Sequence, residues 1–134
     1  LIVFLAAGHD TTATMLTYAL WQLGRNPDLQ SRARAEVAAL GDRELTAADV
    51  AALPYTVAVL HESLRLCPPG PANPRTAKRD IDVDGYRVPA GSVVIFGVYA
   101  VQRDPERFLG PDAGTRDRWQ YIPFGAGGRR PCTV

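Results

Sequence analysis

Only two of the 134 residues are cysteines, Cys67 and Cys132. They lie far apart and form neither a C-x-x-C pair nor a zinc spacing, which excludes a disulfide framework and a structural metal site. A reduced, cytoplasmic setting is expected. Net charge is equally scarce. Fifteen basic against fourteen acidic side chains leave +1, so no overall field draws in nucleic acid or an anionic membrane. Long apolar runs are missing too: Leu1 to Gly8 is far shorter than the roughly 20 residues a membrane span needs, and it lacks the basic flank of a signal peptide. No internal repeat is present. No methionine opens the chain, and it stops shortly after Cys132, so an internal piece truncated at both ends is expected.

What is present is globular. Hydrophobic residues make up 46% and charged residues 22% of the chain, enough for one domain over residues 1–134 with a single core. Leu1 to Leu23 has no proline and is apolar on most faces, which predicts a long helix buried on several sides and closed by Gly24. Asn26-Pro27 reads as a cap and first-turn pair for a second, more exposed helix that runs to Leu40 and ends at Gly41. Thr46 with Asp49 resembles a capping box for a short turn up to Leu53. Pro54 opens a third helix to about Leu66, with Val57, Leu60 and Leu64 on one side, before Pro68 and Pro69 stop it. Asp84-Gly85 between Ile81-Asp82-Val83 and Tyr86-Arg87-Val88 predicts a hairpin, and Ser92 to Phe96 a third strand. Asp104-Pro105 is read as the start of one more helical turn. Leu109 to Trp119 reads as an irregular surface meander, and Phe124 to Arg130 as a tight glycine-rich loop. The fold class expected is mainly α with a small β region.

Three separated runs carry polar chemistry. In Ala7-Gly8-His9-Asp10-Thr11-Thr12, a glycine that costs about 1 kcal/mol relative to alanine and an acid with hydroxyls interrupt an apolar helix. Taken alone, the run is equally readable as threonines bonded back to helix carbonyls with Asp10 in solvent. Glu62 and Arg65 stand three apart on a helix and can pair, which on most helices is a surface ion pair worth about 0–1 kcal/mol. The third run leads from Tyr121 through Phe124, Gly128 and Arg130 to Cys132. Basic neighbours and backbone amides lower a thiol's pKa and favour the thiolate that a soft iron centre takes as ligand. A phosphate loop is the rival there, but no G-K-[ST] follows.

In this order the motifs resemble the cytochrome P450 family along the whole chain. Ala7 to Thr12 is similar to the family's A-G-x-[DE]-T groove, and Glu62 and Arg65 to its E-x-x-R. Leu53-Pro54-Tyr55, Pro68-Pro69, Pro74-Arg75, Gly85 to Gly91 and Arg103-Asp104-Pro105 fall where the family has like runs. The resemblance implies a partial P450 fold with heme b as cofactor. Cys132 would be the axial iron ligand, Arg130 and Arg75 would meet the heme propionates, and Phe124 and Gly128 would shape the cysteine loop. Asp10 and Thr11 would relay protons for O2 activation, with Gly8 leaving room for oxygen. Glu62 and Arg65 would be structural, joined in a buried network by Arg118; Arg107, although it sits in a Pro-Glu-Arg-Phe run, is a decoy.

The implied activity is that of a monooxygenase acting on a lipophilic small molecule. Electrons would come from NAD(P)H through a ferredoxin or flavoprotein reductase. Leu5, Ala6, Thr12 and the turn at Ala72-Asn73 would line the substrate side. The cysteine loop is one residue longer than the family's, Val134 stands where a glycine is usual, Gln102 replaces a histidine, and the meander is short. Two rivals follow. A heme-thiolate isomerase or peroxygenase needs no reductase, but the Asp10–Thr11 pair argues against it; a relic or binding module that has lost heme would account for the altered loop. His9 and His61 read as packing or surface residues, and Cys67 as a small buried hydrophobe.

Overall fold

A computed structural model describes residues 2–103, 117 and 119–125 of the chain. The expected helical turn at Asp104-Pro105, Arg107, most of the meander, Arg118, Gly128, Arg130 and Cys132 lie outside the described residues. The protein is mainly helical with two small antiparallel sheets: α1 (Ile2–Arg25), α2 (Pro27–Ala38), a 3-10 turn (Ala47–Ala52), α3 (Pro54–Leu66), β1 (Asn73–Thr76), β2 (Ile81–Val83), β3 (Tyr86–Val88), β4 (Val93–Phe96) and α4 (Val98–Val101). It divides into two compact units, Leu1–Pro69 and Gly70–Val134. No helix among the described residues is long and apolar enough to cross a membrane.

In the first unit, α1 packs its C-terminal half against α2 and α3. Ala19 is buried, and Met15, Gln22 and Leu23 are half-buried on the same side. Burial on several sides is not met within this unit, where Ile2, Val3, Phe4 and Leu5 are all largely exposed. Apolar composition marks a surface able to be covered, and within this unit only the second half of the helix meets a neighbour. Gly24 does not end the helix either; it continues to Arg25, whose guanidinium lies 4.8 Å from the centre of the Trp21 ring. Pro27, unable to continue the ladder, forces the break.

Asn26 occupies the N-cap position of α2, but its side chain makes no cap bond. Its Nδ2 donates instead to the Gln22 carbonyl at 2.7 Å, satisfying an orphan acceptor at the end of α1 rather than an orphan donor at the start of α2. Pro27 still takes the first helical position. The helix stops at Ala38, short of the expected Leu40, and Gly41 turns the chain at φ +77°. The Thr46 turn forms as expected. The Asp49 carboxylate accepts from the Thr46 amide at 2.7 Å and from its hydroxyl at 2.9 Å, and Arg43 adds an ion pair. That ion pair and those hydrogen bonds hold the Asp49 pKa well below the usual carboxylate range.

Helix α3 has the expected bounds. Its apolar side is the one predicted, with Leu64 buried and Val57 and Leu60 half-buried. Leu64 is 5% exposed, and burying such a side chain contributes about 1.5–3 kcal/mol. Ser63, also buried, donates to the Val59 carbonyl at 2.9 Å, so its hydroxyl is satisfied within the helix.

The second unit holds the strands. Asp84 and Gly85 both adopt positive φ, 53° and 79°, the requirement of the tight primed turn that joins β2 to β3. Ile81 pairs with Val88 and Val83 with Tyr86. At the base of this hairpin the Asp80 carboxylate accepts from the Ala90 amide at 2.9 Å and pairs with Arg87. The predicted third strand forms, but as part of a separate sheet: β4 pairs with β1, with Arg75 opposite Val94. The two-strand ladder tolerates Pro74 because an edge position leaves its missing donor without consequence. Val98, in the short α4, is fully buried, as is Gln102 just beyond it.

Candidate functional site

The first candidate group lies on the exposed half of α1. Gly8, Asp10 and Thr11 are all exposed, and a Cβ added at Gly8 would meet nothing within 4 Å. The space that glycine leaves is therefore open. The Thr11 hydroxyl donates to the Ala7 carbonyl at 2.7 Å, and Thr17 repeats this bond to Ala13 at 2.8 Å. Such back-bonding lets hydroxyls sit on an apolar helix at little cost. It also fixes chemistry at Thr11: with its one proton committed inward, Oγ1 presents lone pairs outward as an acceptor. Asp10 and His9 are each 81% exposed, with Oδ1 and Nδ1 3.2 Å apart. The spacing of Leu5, Gly8 and Thr12 places them along one helix face.

The second group is on α3. Arg65 donates from Nε and NH2 to the two carboxylate oxygens of Glu62 at 2.8 and 2.6 Å, a bidentate pair. The glutamate side chain is 55% exposed and the arginine 20%. The pair is thus present as expected, while its burial in a wider network is not reached among the described residues and Arg118 lies outside them.

What positions this pair was not foreseen. Leu53 caps α3 without a side-chain bond, so the first amides of the helix need an acceptor from elsewhere. Glu36 of α2 supplies it. Its carboxylate accepts from the Tyr55 and Thr56 amides at 2.8 Å each and from the Thr56 hydroxyl at 2.7 Å, at the positive end of the helix dipole. Arg32, one turn earlier on α2, stacks 4.2 Å from the centre of the Tyr55 ring. Burial raises the Glu36 pKa, but the Thr56 hydroxyl, the two amides and the Arg32 charge outweigh it, and the carboxyl is held below its ordinary value. The available signal was Leu53 itself, an apolar residue in a position that wants Ser, Thr, Asn or Asp.

The third group is in the second unit. Arg75 is exposed on β1, with NH1 donating to the Pro74 carbonyl at 2.8 Å, so its planar fork remains presented at the surface. Phe124 is 49% exposed, in a turn closed by the Gly125 amide donating to the Ile122 carbonyl at 2.9 Å, with Gly125 at φ +77°. Just before it, the Ile122 amide donates to Oε1 of buried Gln102 at 3.0 Å. Among the candidate residues, Gly8, Asp10 and Thr11 share one helix and Glu62 and Arg65 another, both within the first unit. Arg75 and Phe124 belong to the second.

The comparisons with known proteins bear on all of these groups at once. The family model described as Cytochrome P450 matches residues 1–133. Cyclooctatin synthase of Streptomyces melanosporofaciens is 40% identical over 96% of this chain and 31% of its own. Cytochrome P450 3A31 of Mesocricetus auratus is 37% identical over 96% of this chain and 28% of its own. Geranylhydroquinone 3''-hydroxylase of Arnebia euchroma is 38% identical over 94% of this chain and 28% of its own. The chain thus spans less than a third of the length of these relatives. The match runs through the α1 groove, the α3 ion pair, the strand arginine and the cysteine segment together, and the chain belongs to the cytochrome P450 family.

Proposed function

We propose that this chain is the oxygen-activating and heme-ligating part of a heme-thiolate monooxygenase that inserts one oxygen atom from O2 into a lipophilic small molecule. The observation that carries the reading is the exposed Gly8-His9-Asp10-Thr11 stretch of α1, where a glycine, an acid and a hydroxyl interrupt an otherwise apolar run. Taken separately, the two units carry residue types that suit a flat, largely apolar group with carboxylates. The face bearing Leu5, Gly8 and Thr12 offers an uncovered surface, and the exposed Arg75 guanidinium offers a fork for a carboxylate. Cys132 would hold the iron through its thiolate, with Arg130 and Arg75 on the propionates and Phe124 and Gly128 shaping the loop. Bound heme supplies the activation of O2 and the oxidation itself.

The protein's share is then positioning and proton movement. The Thr11 hydroxyl keeps its proton on the Ala7 carbonyl. Handing a proton outward requires that bond to be given up and regained, a transient cost of about 0.5–1.5 kcal/mol. Asp10, next in sequence and in contact with solvent, is the group placed to resupply it. Glu62 and Arg65 hold the core helix, with Arg118 as the third member of their network. Electrons come from NAD(P)H through a ferredoxin or flavoprotein reductase, and by resemblance Leu5, Ala6, Thr12 and the Ala72-Asn73 turn would line the substrate side, a mostly small and apolar set that suits a lipophilic substrate.

The test uses the full-length protein that carries this segment. Its reduced, CO-bound form is expected to give a thiolate-type Soret band that disappears in Cys132→Ser, and Thr11→Ala is expected to consume O2 without matching product. A Soret band that survives Cys132→Ser refutes the ligand assignment, and tight coupling in Thr11→Ala refutes the relay.

A further inference from the structure

His9 is expected from the sequence only as a packing or surface residue, and the structure gives it a partner. Its Nδ1 lies 3.2 Å from Oδ1 of Asp10, with both side chains 81% exposed. Adjacent side chains on a helix diverge, so this contact forms only because the two lean toward one another. An ionised carboxylate can only accept, which makes Nδ1 the donor and fixes the proton there; in the neutral ring Nε2 is then the acceptor. His9 therefore holds Asp10 with one nitrogen and keeps the other as an acceptor on a solvent-exposed ring.

Asp10 can resupply a proton to its neighbours only if it is itself recharged. A carboxylate in contact with water is ionised at neutral pH and has no proton to give, whereas imidazole is the side chain whose charged and neutral forms coexist there. The other titratable side chains of α1 are Tyr18 and Arg25, more than two turns further on. Helices α2 and α3, packed on α1, meet its C-terminal half, so none of their charged groups among the described residues faces the pair. His9 is the one group in contact with Asp10 that can both take a proton from water and pass one to a carboxylate.

We propose that His9 is the residue through which Asp10 is recharged with protons. A solvent proton adds to Nε2 of the neutral ring. The imidazolium so formed gives its Nδ1 proton to Oδ1 of Asp10, leaving a neutral imidazole protonated on Nε2 and a neutral carboxylic acid. Asp10 becomes a carboxylate again when it passes that proton on, and exchange with solvent returns the ring proton to Nδ1. His9 acts through Asp10 and is a positioning residue, not a catalytic one. The inference rests on the reading of Asp10 and Thr11 as the proton relay.

The experiment uses the full-length heme-loaded protein. His9→Asn keeps a donor where Nδ1 stands but cannot carry a proton between solvent and the acid. It is expected to lower the product formed per O2 consumed roughly ten-fold, less than the roughly 10²-fold of a well-placed proton donor because water still reaches Asp10. In the unsubstituted protein that yield should fall as pH rises through the imidazole range and the protonated ring is lost; in His9→Asn it should not change over that range. Wild-type yield in His9→Asn beside an uncoupled Asp10→Asn, or an unsubstituted protein whose yield does not depend on pH there, overturns the proposal alone. Tight coupling in Asp10→Asn refutes the relay reading, and the proposal with it. A second readout involves no turnover: nitrogen NMR of isotope-labelled histidine in the diamagnetic ferrous, CO-bound form. The neutral His9 ring is expected to carry its proton on Nδ1, and the ratio of Nδ1–H to Nε2–H forms to fall roughly two- to five-fold in Asp10→Ala, where the exposed pair is lost. An equal ratio in the two proteins shows that the pair does not form and overturns the proposal.

Discussion

Separating Glu62 from Arg65 is expected to have small consequences for this chain and large ones for the full-length protein. Two parallel hydrogen bonds of 2.8 and 2.6 Å join them, a geometry at the favourable end for an ion pair. Yet the Glu62 side chain is 55% exposed, so solvent screens the attraction and the exposed-pair range of about 0.2–1 kcal/mol applies. Arg65 is only 20% exposed, and truncating it also strips packing and further contacts from its stem. A double-mutant cycle of Glu62→Ala, Arg65→Ala and the pair isolates the coupling, read from urea unfolding of the 134-residue chain by far-UV circular dichroism. The expected coupling is about 1 kcal/mol or less. On the proposed reading that Arg118 completes the network in the full-length protein, breaking a buried pair is expected to cost about 3–5 kcal/mol, on the order of a hundred-fold or more in the population able to bind heme. Heme content per chain should therefore collapse in Arg65→Ala, and Arg65→Lys should recover little because the fork is lost. A coupling above about 2 kcal/mol in the short chain would refute the screened-pair argument. Normal heme loading by full-length Arg65→Ala would refute the network.

Two further outcomes concern the helical unit itself. Leu64 is its one large apolar side chain counted as buried among the described residues; Leu64→Ala is expected to cost about 2–5 kcal/mol and Leu64→Met under about 1.5 kcal/mol, measured by urea midpoint. Equal midpoints for the two variants would contradict that packing. Glu36, with its pKa held below the ordinary 4.5, contributes stability that is fully present above that value and is lost as pH falls through the lowered one. Acid unfolding followed from pH 6 downward should therefore show a smaller pH dependence in Glu36→Gln than in the unsubstituted chain, Asp49 and Asp80 accounting for the remainder because their pKa values are lowered too. Superimposable acid profiles would refute the cap.

Local chemistry was the most legible part of the fold. Pro27 and Pro54 started helices, Thr46 with Asp49 built a capped turn, and Asp84-Gly85 made the hairpin, because each depends on residues within a few positions of one another. Pairing across distance was less legible. The strand expected at Ser92 to Phe96 formed at Val93–Phe96, but its partner is β1, a segment whose Asn-Pro-Arg-Thr sequence carries no alternating apolar pattern. Asn26 looked like a cap and turned back to the preceding helix, since two orphan groups competed for one side chain. The Glu36 clasp and the Gln102–Ile122 bond were invisible for the same reason: each joins positions that only folding brings together.

Helix α1 shows why the site was easier to read than the burial. A single apolar composition runs along it, but its two halves do different work. From Met15 to Leu23 it meets α2 and α3, and there small Ala19 allows close approach. From Ile2 to Thr12 the side chains are exposed, and in that half fall the glycine, the acid and the hydroxyl that a helix selected only for packing has no reason to keep. Average hydropathy cannot separate the two halves. The polar interruptions can, because an acid and a hydroxyl cost little on an apolar helix only where that surface is not closed by protein core. Gly8, Asp10 and Thr11 therefore fall in the half of the helix whose surface the packing of this unit leaves uncovered.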